Sequence, residues 1–445
     1  TMVKLEENYR SRENILEAAN VLIENNSERI DKVLKPTRGD GETIYCYKAE
    51  NEIEEARFIR NQILNLTREN PELDWGSFAI LYRTNAQSRV LEEALRADIP
   101  YHIVGGLKFY DRKEIKDALA YLRLLTNPND TVSLLRIINT PRRGIGQKTL
   151  DQLISASQEL NVPLWEIISD ETSVNTLAGR AAKNVNEFAQ LIQSYQGNLE
   201  HLSAAEILDG ILDASKYRQD LQNQGTEEAE NRLENLKELD SAMMQFAEEN
   251  EDSSLEGFLA NASLASDLDN LNEGEEKVSL MTLHSAKGLE FPVVFLVGLE
   301  QGLFPNRRTL DDPAALEEER RLCYVGITRA QEQLFLSYAR ERRLWGYREP
   351  AVPSQFLSEL PEELVSHSSP PIKSRRQQPS PAKPKQKQQS VSHNWQVGDR
   401  VFHDTFGEGE ITHVLGSGKK TNLAIQFPGL GRKIIDPQIA PLQPV

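Results

Sequence analysis

Three short segments hold the residues whose types and spacing suit chemistry on phosphates. Leu5-Glu-Glu-Asn-Tyr-Arg-Ser-Arg12 sets an aromatic beside an arginine just ahead of a helical pattern. That pairing suits stacking on a base together with a phosphate contact. It equally suits a surface arginine beside a half-buried tyrosine. Val278-Ser-Leu-Met-Thr-Leu-His-Ser-Ala-Lys-Gly-Leu-Glu-Phe-Pro-Val-Val-Phe-Leu-Val297 is a polar and basic loop between apolar strands. Glu317-Glu-Glu-Arg-Arg-Leu-Cys-Tyr-Val-Gly-Ile-Thr-Arg-Ala330 reads as a charged helix ending in one isolated arginine. Arg320 and Arg321 have Glu317, Glu318 and Glu319 as neighbours, and pairing with them on a solvent face is the expected arrangement. Arg329 differs, because it follows Tyr324-Val-Gly-Ile-Thr328 and meets no acid before Glu332. A planar, permanently charged guanidinium at a domain interface is what stabilising the charge of phosphoryl transfer requires.

Two further segments carry cations at strand or helix ends. Leu81-Tyr-Arg-Thr-Asn-Ala-Gln-Ser-Arg89 follows an apolar run, with Arg83 the best phosphate candidate and Tyr82 packing inside. In Pro141-Arg-Arg-Gly-Ile-Gly-Gln-Lys-Thr149, Gly144 and Gly146 let backbone N–H groups approach a phosphate at a helix start. Arg142, Arg143 and Lys148 would add charge, and the plainer reading is a glycine turn that caps a helix. No G-x-x-x-x-G-K-[S/T] phosphate loop occurs in the 445 residues. Gly416-Ser-Gly-Lys-Lys-Thr421 fails the pattern, since its first glycine would fall at His413 and Lys420 follows Lys419. No metal cage and no Ser/His/Asp or Cys/His nucleophile constellation can be placed.

The elements that must position these residues alternate along the chain. Residues 1–108 read as helices and short strands in turn, with strands at Ile44–Tyr47, Phe78–Tyr82 and Tyr101–Val104. The pattern stops near Tyr110 and returns at Val278–Thr282, Val293–Val297 and Leu334–Ser337. Such alternation predicts an α/β fold with a parallel sheet. Residues 109–274 give only helical periodicity, at Lys113–Leu125, Thr149–Leu160, Thr176–Gln196, Ala204–Leu212 and Glu227–Glu248, so they read as an all-helical insertion. The carboxylate-dense stretch Glu227–Glu276 reads as a solvated outer face. Residues 361–393, rich in Pro, Ser, Gln and Lys, read as a flexible linker. Residues 394–445 hold short strands between glycine turns, expected to form an SH3-like barrel with Trp395 and Phe402 in a small core.

A net charge of −17 argues against a protein that coats nucleic acid with a basic surface, but leaves room for a narrow cationic channel. Cys46 and Cys323 are the only two cysteines and lack metal-ligand spacing. With no long apolar run and no signal pattern, the expectation is a soluble, cytoplasmic protein.

The first three segments resemble motifs IV, V and VI of the UvrD/PcrA/Rep family of superfamily 1A DNA helicases. The likeness covers nearly all of residues 1–360. The PcrA branch is nearest, judged on Ile103-Val-Gly-Gly-Leu-Lys-Phe-Tyr-Asp-Arg-Lys-Glu-Ile-Lys116 and the C-terminal unit. The resemblance implies a RecA-like subdomain 2A in 1–108 and 275–360, a helical subdomain 2B in 109–274, and a Tudor-like domain in 394–445. It implies ATP-driven 3′-to-5′ movement on single-stranded DNA with unwinding of duplexes, in repair or replication. Tyr9 would stack on adenine, Arg10 would reach the γ-phosphate, Glu290 would accept a ribose hydroxyl, and Arg329 would be the catalytic arginine. Arg83, Thr282 and His284 would meet single-stranded DNA, and Gly144, Gly146 and Thr149 the duplex at a junction. Mg²⁺ would be held mainly by the phosphate-loop half, which lies outside these residues, so the chain alone is expected to be inactive. The Tudor-like unit implies a protein partner, with RNA polymerase the one expected. The rival is a non-catalytic accessory protein that binds DNA or another helicase.

Overall fold

The computed structural model describes residues 6–27, 33–199, 201–271, 276–344, 347–368, 395–403, 407–415, 422–427, 431–435 and 442–444. The chain divides into two compact units, Thr1–Ile372 and Lys373–Val445.

The first unit is built on seven parallel strands. These are β1 (Ile44–Ala49), β2 (Phe78–Tyr82), β3 (Tyr101–Ile103), β4 (Val278–Thr282), β5 (Phe291–Leu296), β6 (Ala330–Ala339) and β7 (Val365–Ser368). Their order across the sheet is β7-β1-β6-β5-β2-β4-β3. The interior strand β2, Phe-Ala-Ile-Leu-Tyr, is buried along its whole length, as a parallel strand covered on both faces must be. Successive side chains point to opposite faces. Phe78, Ile80 and Tyr82 therefore pack with Ile59 and Ile63 of the helix Glu52–Glu69 and with Leu91 and Leu95 of the helix Ser88–Leu95. Ala79 and Leu81 share the other core with Ile15, Ala18 and Leu22 of the helix Glu13–Glu24 and with Cys323 and Ile327 of the helix Pro313–Ile327.

The chain leaves this sheet at β3 and returns in the adjacent strand β4, with Tyr101 opposite Val278 and Ile103 opposite Leu280. The described residues between them form ten α-helices and no strand, around a core of their own. The predicted helix Thr176–Gln196 is two helices, Glu171–Leu177 and Ala182–Gln196, broken where Gly179 takes a positive φ of 53°.

The structure corrects three expectations here. β7 lies inside the stretch read as linker, paired with β1 from Val365↔Ile44 to Ser368↔Tyr47. A four-residue edge strand is too short to stand out from its Ser- and His-containing sequence. A 3-10 turn, Glu362–Leu364, precedes it, and residues 369–393 of that stretch lie outside the described residues. The helix Glu227–Glu249 is not a solvated face throughout. Glu238 accepts from Arg89 Nε at 2.6 Å, while Glu230 pairs with Arg308 and Glu248 with Arg343. Its acids bridge the helical segment to the helix Ser88–Leu95, the turn Arg307–Thr309 and the strand Glu341–Leu344, contacts between residues far apart in sequence. Arg320 is buried rather than solvated. It forks onto Glu359 at 2.7 and 2.8 Å and donates to Asn26 at 2.6 Å. Arg321 alone pairs with Glu317 and Glu318.

In the second unit, five strands pair antiparallel in the order Gly431–Ile435, Asn422–Phe427, Gly407–Leu415, Arg400–His403, Leu442–Pro444. Val401, Ile411, Leu423, Ile425 and Phe427 form its core, with Trp395 packed against them. Phe402 is not in that core. It is 39% exposed, because strand alternation turns it outward once Val401 points in. Gly416–Thr421 lies outside the described residues. No helix among the described residues is long and apolar enough to cross a membrane.

Candidate nucleotide and DNA faces

Arg10 is set by local hydrogen bonding and by β6. The Asn8 side chain accepts from the amides of Arg10 and Ser11 at 2.9 and 3.0 Å, a turn that Asn favours. Ser11, fully buried, donates its hydroxyl to Ala330 O at 2.6 Å, and the Arg12 amide donates to Gln331 O at 3.1 Å. Arg10 is thereby clipped beside Arg329 at the start of β6. Its Nε meets Glu290 Oε2, and its Nη1 donates to Thr328 O at 3.3 Å. Gln331 donates to the other Glu290 oxygen at 3.1 Å.

Arg329 follows the helix Pro313–Ile327, whose start is marked in sequence by Asp312-Pro313. Asp312 accepts from the amides of Ala314 and Ala315 at 3.0 and 3.3 Å. At the far end the Arg329 amide donates to Gly326 O at 3.1 Å. The guanidinium donates to Val325 O and Leu289 O, each at 3.0 Å, and to Thr328 Oγ1 at 3.2 Å. All three acceptors are neutral. Burial, and then the nearby Arg10 cation, hold the Arg329 pKa below its ordinary value. The hydrogen bond from Arg10 leads the effects that hold Glu290 below the usual carboxylate range. The Arg10–Glu290 link is thus present above the ordinary carboxylate pKa and is lost as pH falls through the depressed one. Two guanidiniums gathered with one carboxylate fit a polyanion such as a nucleotide phosphate chain. Tyr9, next in sequence, is 71% exposed rather than half-buried, so its ring is open for stacking.

The second face lies at the opposite end of the sheet. Thr282 ends β4, and its hydroxyl lies 3.1 Å from that of Ser285 and accepts from the Ser285 amide at 3.3 Å. His284 is exposed. Partial desolvation, and then the Arg83 cation, lower its pKa, which favours the neutral ring. Arg83, expected as a phosphate contact, is already forked onto the buried Glu319 at 2.8–3.1 Å. Glu319 also accepts from the Asn306 amide at 3.0 Å. Tyr82 packs fully inside, as expected.

A single short segment joins the two faces. Leu283–Glu290 carries the chain from the end of β4 over β2 to the start of β5. That is about 15–20 Å along the strand direction at ~3.3 Å per residue. Leu283 and Ala286 are fully buried beneath it, and the Leu283 amide donates to Tyr82 O at 2.9 Å.

The glycine turn stands apart, in the helical segment. Gly144 has φ +75°, where L side chains are strained, and Gly146 precedes the helix Gln147–Leu160 at φ −81° with open space where a Cβ would stand. Asn139 Oδ1 accepts from the amides of Arg143 and Ile145 at 2.7 and 3.3 Å, and Ile145 is buried. Arg143 is not a free cation. It donates to Tyr121 Oη at 2.5 Å and Ile137 O at 2.9 Å and lies over the Phe188 ring. Arg142 and Lys148 are exposed, and Thr149 is half-buried.

Sequence reasoning did not find Thr328, Gln331 or Glu319, whose partners Arg10, Glu290 and Arg83 are distant in the chain, nor Ser285, which meets Thr282 three residues away. Among the described residues no group of three or more His, Cys, Asp or Glu could hold a metal ion.

Comparison with known proteins identifies the family. The family profile of the UvrD-like helicase C-terminal domain matches residues 3–341, and that of the PcrA/UvrD tudor domain matches residues 397–443. DNA helicase II of Salmonella typhimurium strain LT2 and that of Escherichia coli strain K12 are each 43% identical over 450 residues. The ATP-dependent DNA helicase PcrA of Bacillus subtilis strain 168 is 40% identical over 462 residues. Each alignment covers 100% of this chain and 62% of the relative, so the chain spans under two thirds of the length of these proteins.

Proposed function

The chain belongs to the family of UvrD-like helicase C-terminal domains, and we propose that it is the second motor half of an enzyme that couples ATP hydrolysis to 3′-to-5′ movement on single-stranded DNA. The observation that carries this reading is the meeting of Arg10, Glu290 and Arg329 at one end of the sheet, joined by Leu283–Glu290 to Thr282 and His284 at the other.

ATP, with Mg²⁺ bound, would supply the phosphoryl group, with water as its acceptor and ADP as the leaving group. Arg329 places a fixed positive charge where negative charge grows during transfer, and Arg10 holds the terminal phosphate. Glu290 has two roles, one for each partner. It anchors Arg10, and when Arg10 turns to phosphate its carboxylate is released to accept a ribose hydroxyl. Tyr9 offers an open aromatic face to the base. Thr282 and the neutral His284 donate or accept at the DNA backbone, while Arg83 contributes field rather than a free fork. Single-stranded DNA and duplex–single-strand junctions are the proposed partners of the first unit. A protein is the proposed partner of the C-terminal unit, with RNA polymerase the first to test.

The test is phosphate release by the purified chain, alone and joined to a phosphate-loop half. Release stimulated by single-stranded DNA is expected only from the joined protein. Stimulated release from the chain alone, removed by Arg329→Ala, would show that it cradles phosphates by itself and refute the division of labour.

The glycine turn is proposed to meet the duplex backbone. Gly146→Val suits a test better than a change at Gly144, because its extended backbone accepts valine and its Cβ would enter open space. Affinity for a duplex–single-strand junction should fall about tenfold, the loss of one good backbone contact, while single-strand affinity stays nearly unchanged. Equal losses on both substrates in a binding titration would make the turn purely structural.

A further inference from the structure

The two faces are locked together at one glycine that the proposed function does not itself use. Gly326 lies in the last turn of the helix Pro313–Ile327 and is buried. A Cβ there would stand 2.5 Å from Leu283 Cδ2 and 3.4 and 3.5 Å from the two Cδ atoms of Leu296. Leu283 sits between Thr282 and His284, the candidate DNA contacts. It cannot swing clear, because its side chain is fully buried in the core that also holds Ala286, Leu296 and Ile327. Its backbone is held to β2 by the Tyr82 carbonyl. On the other side, the Gly326 carbonyl accepts the Arg329 amide at 3.1 Å. The helix end that aims the arginine therefore rests directly on the loop residue that sets the DNA contacts, with no side chain between them.

We propose that Gly326 is a positioning residue that fixes the spacing between Arg329 and the Thr282–His284 segment, and so couples DNA contact to ATP turnover. The proposal rests on the function assigned above. Any side chain at 326 forces a choice. Either the helix end retreats and carries Arg329 with it, or Leu283 is pushed and the loop moves. Both displace one face relative to the other, since close-packed interiors transmit such strain rather than absorb it.

The experiment measures ATP turnover against single-stranded DNA concentration in the full-length protein. Gly326→Ala should lower turnover at saturating DNA about tenfold and raise the half-saturating DNA concentration about tenfold. Gly326→Ala combined with Leu283→Val, which removes the clashing Cδ2 atom, should bring both values back to within about threefold of the parent. A Gly326→Ala variant whose urea midpoint stays near the parent's while both values shift separates positioning from simple destabilisation. Should the single variant fail to fold, the double variant is compared with the parent directly. A near-parental DNA response supports the proposal and a lost one overturns it. A folded Gly326→Ala with parental values on both axes overturns it too, as does a double variant no better than the single. Arg329→Ala is run alongside. If that variant turns over normally the functional reading itself fails, however Gly326 behaves.

Discussion

In the chain joined to a phosphate-loop half, Arg329→Ala is expected to lower ATP turnover by about 10³–10⁵, the range over which an arginine finger acts, while single-strand affinity stays within about twofold. The asymmetry follows from where its donors point. The guanidinium is held by the carbonyls of Val325 and Leu289 and the Thr328 hydroxyl, none of which neutralises its charge. Burial and the Arg10 cation make that charge costly to hold. An anion that grows beside it relieves the cost, and grows most in the transition state, so the loss falls on kcat rather than on binding. Arg329→Lys should recover only a small part, because an ammonium cannot keep those three acceptors and present a planar fork together. Parallel measurement of turnover and DNA affinity decides. Near-normal turnover in the alanine variant would remove Arg329 from the mechanism.

The placement of these side chains was legible in sequence to different depths. Arg10, Glu290 and Arg329 stand out as a group only through the resemblance of their three segments to family motifs, and the structure sets them side by side. The strands β2, β4 and β5 announced themselves as apolar runs. What stayed hidden depends on pairings with residues tens to hundreds of positions away. Arg83 reads as a free cation after a strand, and only the fold brings the buried Glu319 to it. Arg143 reads as surface charge, yet Tyr121 and Phe188 from two other helices enclose it. Arg320 reads as one of a solvent-facing row until Glu359 arrives beside it. A sequence window shows charge, but whether that charge is free is decided by distant partners.

The largest expected effect on stability lies away from both faces, at Arg342. This buried guanidinium forks onto Glu300 at 2.8 and 2.6 Å and reaches Glu55 at 2.6 Å. Glu55 also accepts from the Ser337 hydroxyl at 2.7 Å and the Gly298 amide at 3.0 Å, and Glu300 from the Ala339 amide at 2.7 Å. The cluster therefore ties the helix Glu52–Glu69 to β6 and to the turn after β5. Arg342→Met leaves two buried carboxylates facing each other and should cost about 3–5 kcal/mol, the usual result of breaking a buried ion pair from one side. Arg342→Lys should cost less, since it restores the charge without the fork. The urea midpoint measures the effect. A midpoint near the parent's would mean that the cluster contributes little.

The strand order has a consequence for how this protein comes off the ribosome. β1, β2 and β3 emerge first, yet none of them neighbours another in the finished sheet. β2 and β3 wait for β4, and β1 waits for β6. At translation rates of roughly 5–20 residues per second, the 174 residues between Ile103 and Val278 (278 − 103 − 1) take about 9–35 s to make. Helical packing of the intervening segment, rich in local contacts, forms in microseconds to milliseconds. The helical core is thus complete while three strands still present unpaired edges, the state most open to wrong partners. A nascent chain stalled between Ile103 and Val278 carries three unpaired strands and none of the sheet's hydrogen bonds.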